Sequence, residues 1–466
     1  MITKKTLIKN IVITTVLIFT ILCLAFIYLL NNADDDYEIN KNGKELFGEF
    51  TLYENTIYVV VPGNGYYPVS LADIKSIHSI SNEYYDRHIA IDNKNVYCGN
   101  KVMLQMDPKK VESIGNNYYT DGTTTCYCDK ATQINKDFTL SKEFRKIIDY
   151  YLFNGDKPKK PQTYLYPMRV MPNSDKSYYS LLKNRSIACN GEQVFYKGQL
   201  MPKVNMDSLS TMPLYRDDNK IHSFMYFRDG KHVYYKNNLL PIIDNKQLYS
   251  IEVNSRKNEN YLYNPINGIV YINNFSFDKK KAPYKLMSKF GSHVNHTLWL
   301  SKKGVYFYNT EEKEIQRAGD NPFSNNDFKE IAPLVFSNGK ETLYIDAYEK
   351  WHNSKSDKSL DKRYTTINRL EGLEAKKKWD KLGDYYTYGS VWKHGKHWYY
   401  FDKLGERQQV FNPIYKIKDE KTAKKLLTKD IIGSTKIVKQ LIREKKLTKP
   451  KYKEKLNMTF EIKFIK

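Results

Sequence analysis

The sequence predicts a mainly β protein made of repeated hairpin units of about 37 residues, propeller-like or β-solenoid in arrangement. Two observations carry that prediction. First, a tight polar turn followed by a β-branched or apolar residue and one or two tyrosines recurs along the chain. It reads Ile57-Tyr58, Val96-Tyr97, Cys126-Tyr127, Val194-Phe195-Tyr196, Val233-Tyr234-Tyr235, Val270-Tyr271, Val305-Tyr306, Leu343-Tyr344 and Trp398-Tyr399-Tyr400. Second, the 466 residues include 40 Tyr beside 21 Phe and 5 Trp. Such rings favour strands in which one side packs and the hydroxyl reaches a polar partner. A copied unit presents a surface, whereas a catalytic centre needs unlike residues brought together. The repeat therefore points to recognition.

The first element is a transmembrane helix. Ile11 to Leu30 is an uncharged, apolar run, preceded by Lys4, Lys5 and Lys9 and followed by Asp34, Asp35 and Asp36. Its length suits a bilayer, and the lysine bias places the N-terminus in the cytoplasm. Asn31-Asn32-Ala33 is a poor cleavage site, so the run reads as an uncleaved signal anchor. The expected location is the inner (cell) membrane, single-pass, with the body periplasmic or extracytoplasmic.

The repeat then divides into a hairpin and a following segment. Its turns include Asp92-Asn93-Lys94-Asn95, Asp121-Gly122, Asp229-Gly230-Lys231, Asn338-Gly339-Lys340 and His394-Gly395-Lys396, residues that accept the backbone of tight hairpins. After each hairpin an Asp opens a short segment, as at Asp73, Asp107, Asp207 and Asp244, and reads as a helical cap or an Asx turn. A helix is expected over Ser141 to Phe153. Pro158, Pro161, Pro167 and Pro172 mark a linker, and a charged helix is expected from Ile367 to Leu382.

Beyond Tyr415 the pattern changes. Asp419 to Thr428 and Ser434 to Leu447 read as basic amphipathic helices. Met458, Phe460, Ile462 and Phe464 alternate as in a one-face-buried strand that could close a sheet against an early unit. The predicted domains are 1–36, tip and anchor; 37–155, first repeats and helix; 156–190, linker; 191–415, later repeats with an insertion at 351–384; and 416–466, a small basic α/β tail.

The formal charge is +23, and residues 416–466 hold 17 Lys and Arg against 6 Asp and Glu. A positive field favours nucleic acid or an anionic surface. Export removes nucleic acid from consideration, which leaves anionic envelope polymers, lipid headgroups or an acidic protein. Lys436, Lys439, Arg443, Lys445 and Lys446 are the candidate binding set, against the bland reading of a solvated lysine-rich face. Cys98 and Cys128 each follow a repeat tyrosine and hold equivalent places in consecutive units. In an oxidising space Cys98 pairs with Cys128 or with Cys126.

The sequence contains no nucleophile elbow, zinc-protease motif, phosphate loop or dinucleotide fingerprint. The close pairs His293/His296 and His394/His397 lack a flanking carboxylate pattern and read as surface turn residues rather than metal ligands. No cofactor is expected.

Asp92-Asn93-Lys94-Asn95-Val96-Tyr97, followed by Met106-Asp107-Pro108 and Val111-Glu112-Ser113-Ile114, resembles the DKNYY repeat of bacterial envelope-associated proteins. Arg228 to Tyr235 and Ala318 to Phe323 resemble degenerate copies. The resemblance covers residues 50–130 well and 190–410 loosely, and leaves the proline segment and basic tail unexplained. It implies a membrane anchor in many members and supplies no catalytic residues. The expected function is a non-catalytic, membrane-anchored envelope protein that binds a protein partner through its repeat surface, in one version a toxin-neutralising immunity protein. The alternative is a scaffold or sensor for anionic envelope polymers or lipid headgroups.

Overall fold

In the computed structural model, the described residues are 13–24, 36–61, 65–130, 164–216, 219–254, 259–288, 296–310, 312–324, 327–353, 358–403, 410–428 and 435–461, with scattered positions between 133 and 153. The chain divides into two units, Met1–Met206 and Asp207–Lys466. Both are mainly β and are built around four-stranded antiparallel meanders, with a two-stranded sheet in the first unit and a fifth strand added to the last two sheets of the second.

The first unit holds four meanders. Two are continuous, spanning 44–68 and 78–102. The third takes its first three strands from 112–128 and its edge strand, Met168–Val170, from beyond an excursion. The fourth covers 179–201. Residues 156–190, expected as a linker, therefore supply strands to three sheets: Tyr164–Leu165 pairs with Gln133–Ile134, Met168–Val170 and Tyr179–Leu181 are edges, and Ile187–Cys189 is an inner strand. The helix expected over Ser141 to Phe153 is helical at its described positions 141, 142, 145, 148, 149 and 153; the others lie outside the described residues.

Five meanders make the second unit. Those at 210–243 and 249–276 join into one eight-stranded sheet through a parallel pair, Leu214 opposite Ser250 and Tyr215 opposite Ile251. Meanders at 285–319, 329–370 and 379–417 follow.

One hydrogen-bond set explains why the tyrosine phrase folds as it does. The first turn residue accepts two backbone N–H groups with one side-chain oxygen. Asp92 Oδ1 receives Lys94 N and Asn95 N, both at 2.7 Å. Asp121 Oδ1 receives Thr123 N at 2.8 Å and Thr124 N at 2.6 Å. Asp229, Asn190 and Asn338 repeat the pattern. The second carboxylate oxygen ties down neighbours. Asp92 Oδ2 accepts from Asp73 N at 3.0 Å and from the Tyr97 hydroxyl at 2.7 Å.

Asp121 Oδ2 accepts from Asp107 N at 2.8 Å, and Asp229 Oδ2 accepts from the Tyr234 hydroxyl at 3.2 Å. Burial pushes the Asp121 carboxyl up, but the N–H groups of Thr124, Asp107 and Thr123 outweigh it and hold it at about 2. The segment aspartates are Asx turns: Asp73 Oδ1 takes Lys75 N and Asp107 Oδ1 takes Lys109 N.

The repeat tyrosines are core. Tyr97, Tyr118, Tyr119, Tyr127, Tyr226, Tyr234, Tyr261, Tyr271 and Tyr400 are fully buried. Successive meanders pack face on face: Phe50, Ile57 and Val59 meet Ala90 and Tyr97, and Val305 and Phe307 meet Leu343 and Ile345.

Two expectations are corrected. No helix forms over Ile367 to Leu382; Lys358–Leu370 and Trp379–Tyr385 are strands. The charged residues there mimic a helical period. Ile367 and Leu370 are buried, however, and strand pairing with Tyr452–Glu461 outweighs local propensity. That terminal strand closes the 329–370 sheet rather than an early unit, burying Met458 beside Ile367. Ile462 and Phe464 lie outside the described residues.

The basic tail is part of the last meander's core. Glu420–Leu427, capped by Asp419 Oδ1 on Thr422 N at 2.8 Å, and Thr435–Arg443 bury Ala423, Leu426, Val438 and Leu441 against Val391, Tyr400 and Ile417. Within the expected span Ile11 to Leu30, residues 13–24 are an exposed apolar helix and the rest lies outside the described residues. Among the described residues no helix is long and apolar enough to cross a membrane.

Two predictions follow from these contacts. A double-mutant cycle of Asp92→Asn and Tyr97→Phe, read by thermal unfolding, gives a coupling of about 1–2 kcal/mol; additivity contradicts the shared bond. Asp346 is 7 % exposed, and burial pushes its carboxyl up to about 6, against a nearby Lys449 that lowers it. Its contribution is complete below about pH 4 and is lost as pH rises through about 6. Asp346→Asn should thus gain about 2–3 kcal/mol on the parent between these limits. A pH-independent difference counts against this.

Candidate functional site: a polar cleft in the first unit

Most polar side chains of the repeat are consumed by turns. One group of the others gathers where the second, third and fourth meanders of the first unit meet, around a cleft of about 730 Å³. Its walls come from segments 83–86, 113–117, 129–130 and 180–186. That volume lies within the range of small-molecule sites.

Asp86 ends the single helical turn Tyr84–Asp86 and is buried. Its Oδ1 accepts from the Tyr119 hydroxyl at 2.9 Å and from Ser113 Oγ at 3.2 Å, and its Oδ2 accepts from Ser81 Oγ at 2.7 Å. Burial, then the Asp86 charge, pushes the Tyr119 hydroxyl well above the usual phenol range. Asp129 follows the strand Thr125–Cys128, and its Oδ2 accepts from the Tyr127 hydroxyl at 2.7 Å and from Lys197 Nζ at 2.8 Å. Tyr127 is likewise raised, by burial first and Asp129 second. Each carboxylate is a fixed acceptor held by donors from neighbouring segments.

The far wall is held by Asn116. Its Nδ2 donates to Leu181 O at 2.6 Å and Ile187 O at 2.8 Å, bridging the third and fourth meanders. Asn116 and Asn117 sit at φ of 54° and 64°, a left-handed pair that asparagine tolerates. At the rim, Tyr84 and Tyr85 are 60 % and 51 % exposed and meet edge to face at 5.7 Å. Lys130 Nζ lies 3.6 Å from the centre of the Tyr84 ring and holds that phenol below its ordinary range. A smaller hollow of about 320 Å³ lies on the Tyr84 side, lined by Ser79, Ser81, Asn82 and Arg87 among others.

Of the residues singled out in the sequence, the structure brings Cys98 and Cys128 together in a disulfide, with Cα atoms 6.1 Å apart. Cys126 is buried in the same cluster as a free thiol, pushed up to about 12 by burial and then by Asp121. The disulfide joins the second meander to the strand that presents Asp129 and Lys130. Lys436, Lys439, Arg443 and Lys445 are exposed on or just beyond the helix Thr435–Arg443, and Lys446 pairs with Glu444 at 2.8 Å. These five belong to the second unit, the cleft to the first.

His394 and His397 face each other across their hairpin, yet His394 is buried against Trp379 at 4.7 Å. His296 is buried with Nδ1 2.7 Å from Thr365 Oγ1, and His293 lies outside the described residues. Among the described residues no group of three or more His, Cys, Asp or Glu could hold a metal.

The cleft residues were missed in the sequence because the repeat drew attention to its own tyrosines. One signal was present: Tyr84-Tyr85-Asp86 is a tyrosine pair with neither the preceding turn nor the β-branched residue of the phrase.

Residues 50–238, which include every cleft-lining segment, match the model of the DKNYY family. Neither the curated proteins nor the solved structures yield a match to this chain.

Removing the disulfide with Cys98→Ser and Cys128→Ser lowers the stability of the first unit by roughly 3–4 kcal/mol, the loop-closure value for a separation of 30 residues. Thermal melts with and without reductant check this; identical melts for the parent under both conditions count against the bridge.

Proposed function

For a chain that belongs to the DKNYY family through residues 50–238, we propose a non-catalytic binding protein of the cell envelope. Its meanders form a propeller-like succession, residues 11–30 anchor it in the inner membrane with the body outside, a protein partner docks on the repeat surface, and the first-unit cleft is a binding pocket within that surface. A protein partner, such as an incoming toxin neutralised at the membrane, is the version that the topology favours.

One observation carries the binding reading. The carboxylates at the cleft are held by hydroxyl and ammonium donors, three on Asp86, which orient them in advance as acceptors. Fixed acceptors, amides and exposed rings suit recognition. A second reading, binding of anionic envelope polymers or headgroups, rests on the exposed Lys436, Lys439, Arg443 and Lys445, whose helix keeps its apolar face buried. Lys446, already paired with Glu444, is a weaker contributor.

In-cell photo-crosslinking separates the two. Benzoylphenylalanine placed at Tyr85 or Lys183 should give a light-dependent product of the full-length protein, and the same group at Lys439 or Arg443 should not. Products from the tail positions alone would remove the cleft from the function and favour the second reading.

A further inference from the structure

We infer that the first-unit cleft takes a neutral saccharide chain. The inference rests on the reading that the cleft binds rather than reacts, and it assigns the chemistry of what enters.

Three features of the lining converge on this class. Small-molecule pockets for apolar ligands are lined mainly by hydrophobic side chains. Here Tyr85 is the one aromatic ring among the lining residues, beside the hydroxyls of Ser113, Ser180 and Ser186 and the amides of Asn117 and Asn184. Such a wall matches a ligand that offers hydroxyl groups in every direction.

The acceptors are also oriented in advance. An ionised carboxylate has about four lone-pair sites, and Asp86 uses three of them on Ser81, Ser113 and Tyr119. Asp86 lines the cleft, and groups from two meanders fix its carboxylate there. A sugar hydroxyl can donate there without any reorganisation of the protein.

The rim supplies the third feature. Tyr84 and Tyr85 stand half exposed at adjoining hollows, whereas Tyr97, Tyr118, Tyr119 and Tyr127 of the same unit are fully buried. A rigid amphipathic ring covers the apolar C–H face of a pyranose at low entropic cost and leaves its own hydroxyl in water.

Charge decides between neutral and ionic ligands. Glu83, Asp86 and Asp129 line the cleft with Lys130 and Lys183, and Lys197 pairs with Asp129 at 2.8 Å. Three carboxylates stand against three ammonium groups, with Arg87 at the adjoining hollow, so no one-sign patch strong enough to select a polyanion or a polycation lines the cleft. Lys130 is further occupied on the Tyr84 ring.

The test is calorimetric titration of the full chain in detergent micelles. The probes are cellotetraose, its N-acetylated counterpart chitotetraose, and anionic tetragalacturonate. We expect at least one neutral tetramer to bind with a Kd of roughly 10 μM to 1 mM. Tyr85→Ala should weaken it about tenfold with an unchanged melting temperature. Ile243→Ala, at an exposed site in the second unit, should leave it unaltered. The inference is overturned if neither neutral tetramer binds at about 10 mM. It is overturned equally if only tetragalacturonate binds, or if Tyr85→Ala leaves binding of the neutral tetramer intact. Crosslinks from Tyr85 that end on a polypeptide, with no binding of either neutral tetramer, retain the binding function and reject the saccharide.

Discussion

The repeat depends on one interaction: a side-chain oxygen at the start of a hairpin turn that takes the two N–H groups closing it, from a buried carboxylate at Asp92, Asp121 and Asp229 and from an amide at Asn190 and Asn338. Asp92 closes its own turn through Lys94 and Asn95, holds the incoming segment through Asp73 N, and fixes the core through the Tyr97 hydroxyl. A buried charge is costly unless its hydrogen-bonding capacity is filled. That requirement links three pieces of chain that are separated in sequence, so around Asp92 a tight turn, a short Asp-led segment and a tyrosine travel together. The periodic phrase is the visible trace of that linkage.

Where the carboxylate changes, its partner changes with it. Five residues after Asp92 and Asp229 stands a tyrosine whose hydroxyl donates to the acid. Five residues after Asn190 and Asn338 stand Phe195 and Leu343, which have no hydroxyl to place. After Asp121 the position is Cys126, next to the strand residue Cys128 that bonds Cys98 in the preceding meander. An amide can close the turn as well as a carboxylate can, but it has no second anionic oxygen to hold a buried phenol. Asn190/Phe195 and Asn338/Leu343 follow that difference; Asp121/Cys126 keeps the carboxylate without the phenol.

The cleft arises from the same physics applied off the pattern. Asp86 and Asp129 are also buried acids capped by tyrosines, through Tyr119 and Tyr127. They lie between meanders instead of inside a hairpin turn, so part of their surroundings is open to the cleft. The tail shows the converse. Its basic helices looked separable by charge, yet Ala423, Leu426, Val438 and Leu441 complete the core of the final meander.

The hairpins, their turn residues, the all-β character and the tail helices were legible in the sequence, because each is dictated by contacts within a few residues. Strand pairing across long separations was not. The strand Tyr452–Glu461 lies beside Lys358–Leu370, and burial of Ile367 and Met458 there displaced the helix that local charge spacing suggested. The cleft was illegible for a related reason. Asp86, Asn116, Asp129 and Ser180 share no spacing or motif, and only the stacking of three meanders makes them neighbours. The sequence by itself determined the repeated unit, since a buried carboxylate must satisfy its donors locally. Tertiary structure decided which residues between the units face one another, because that depends on how whole sheets pack.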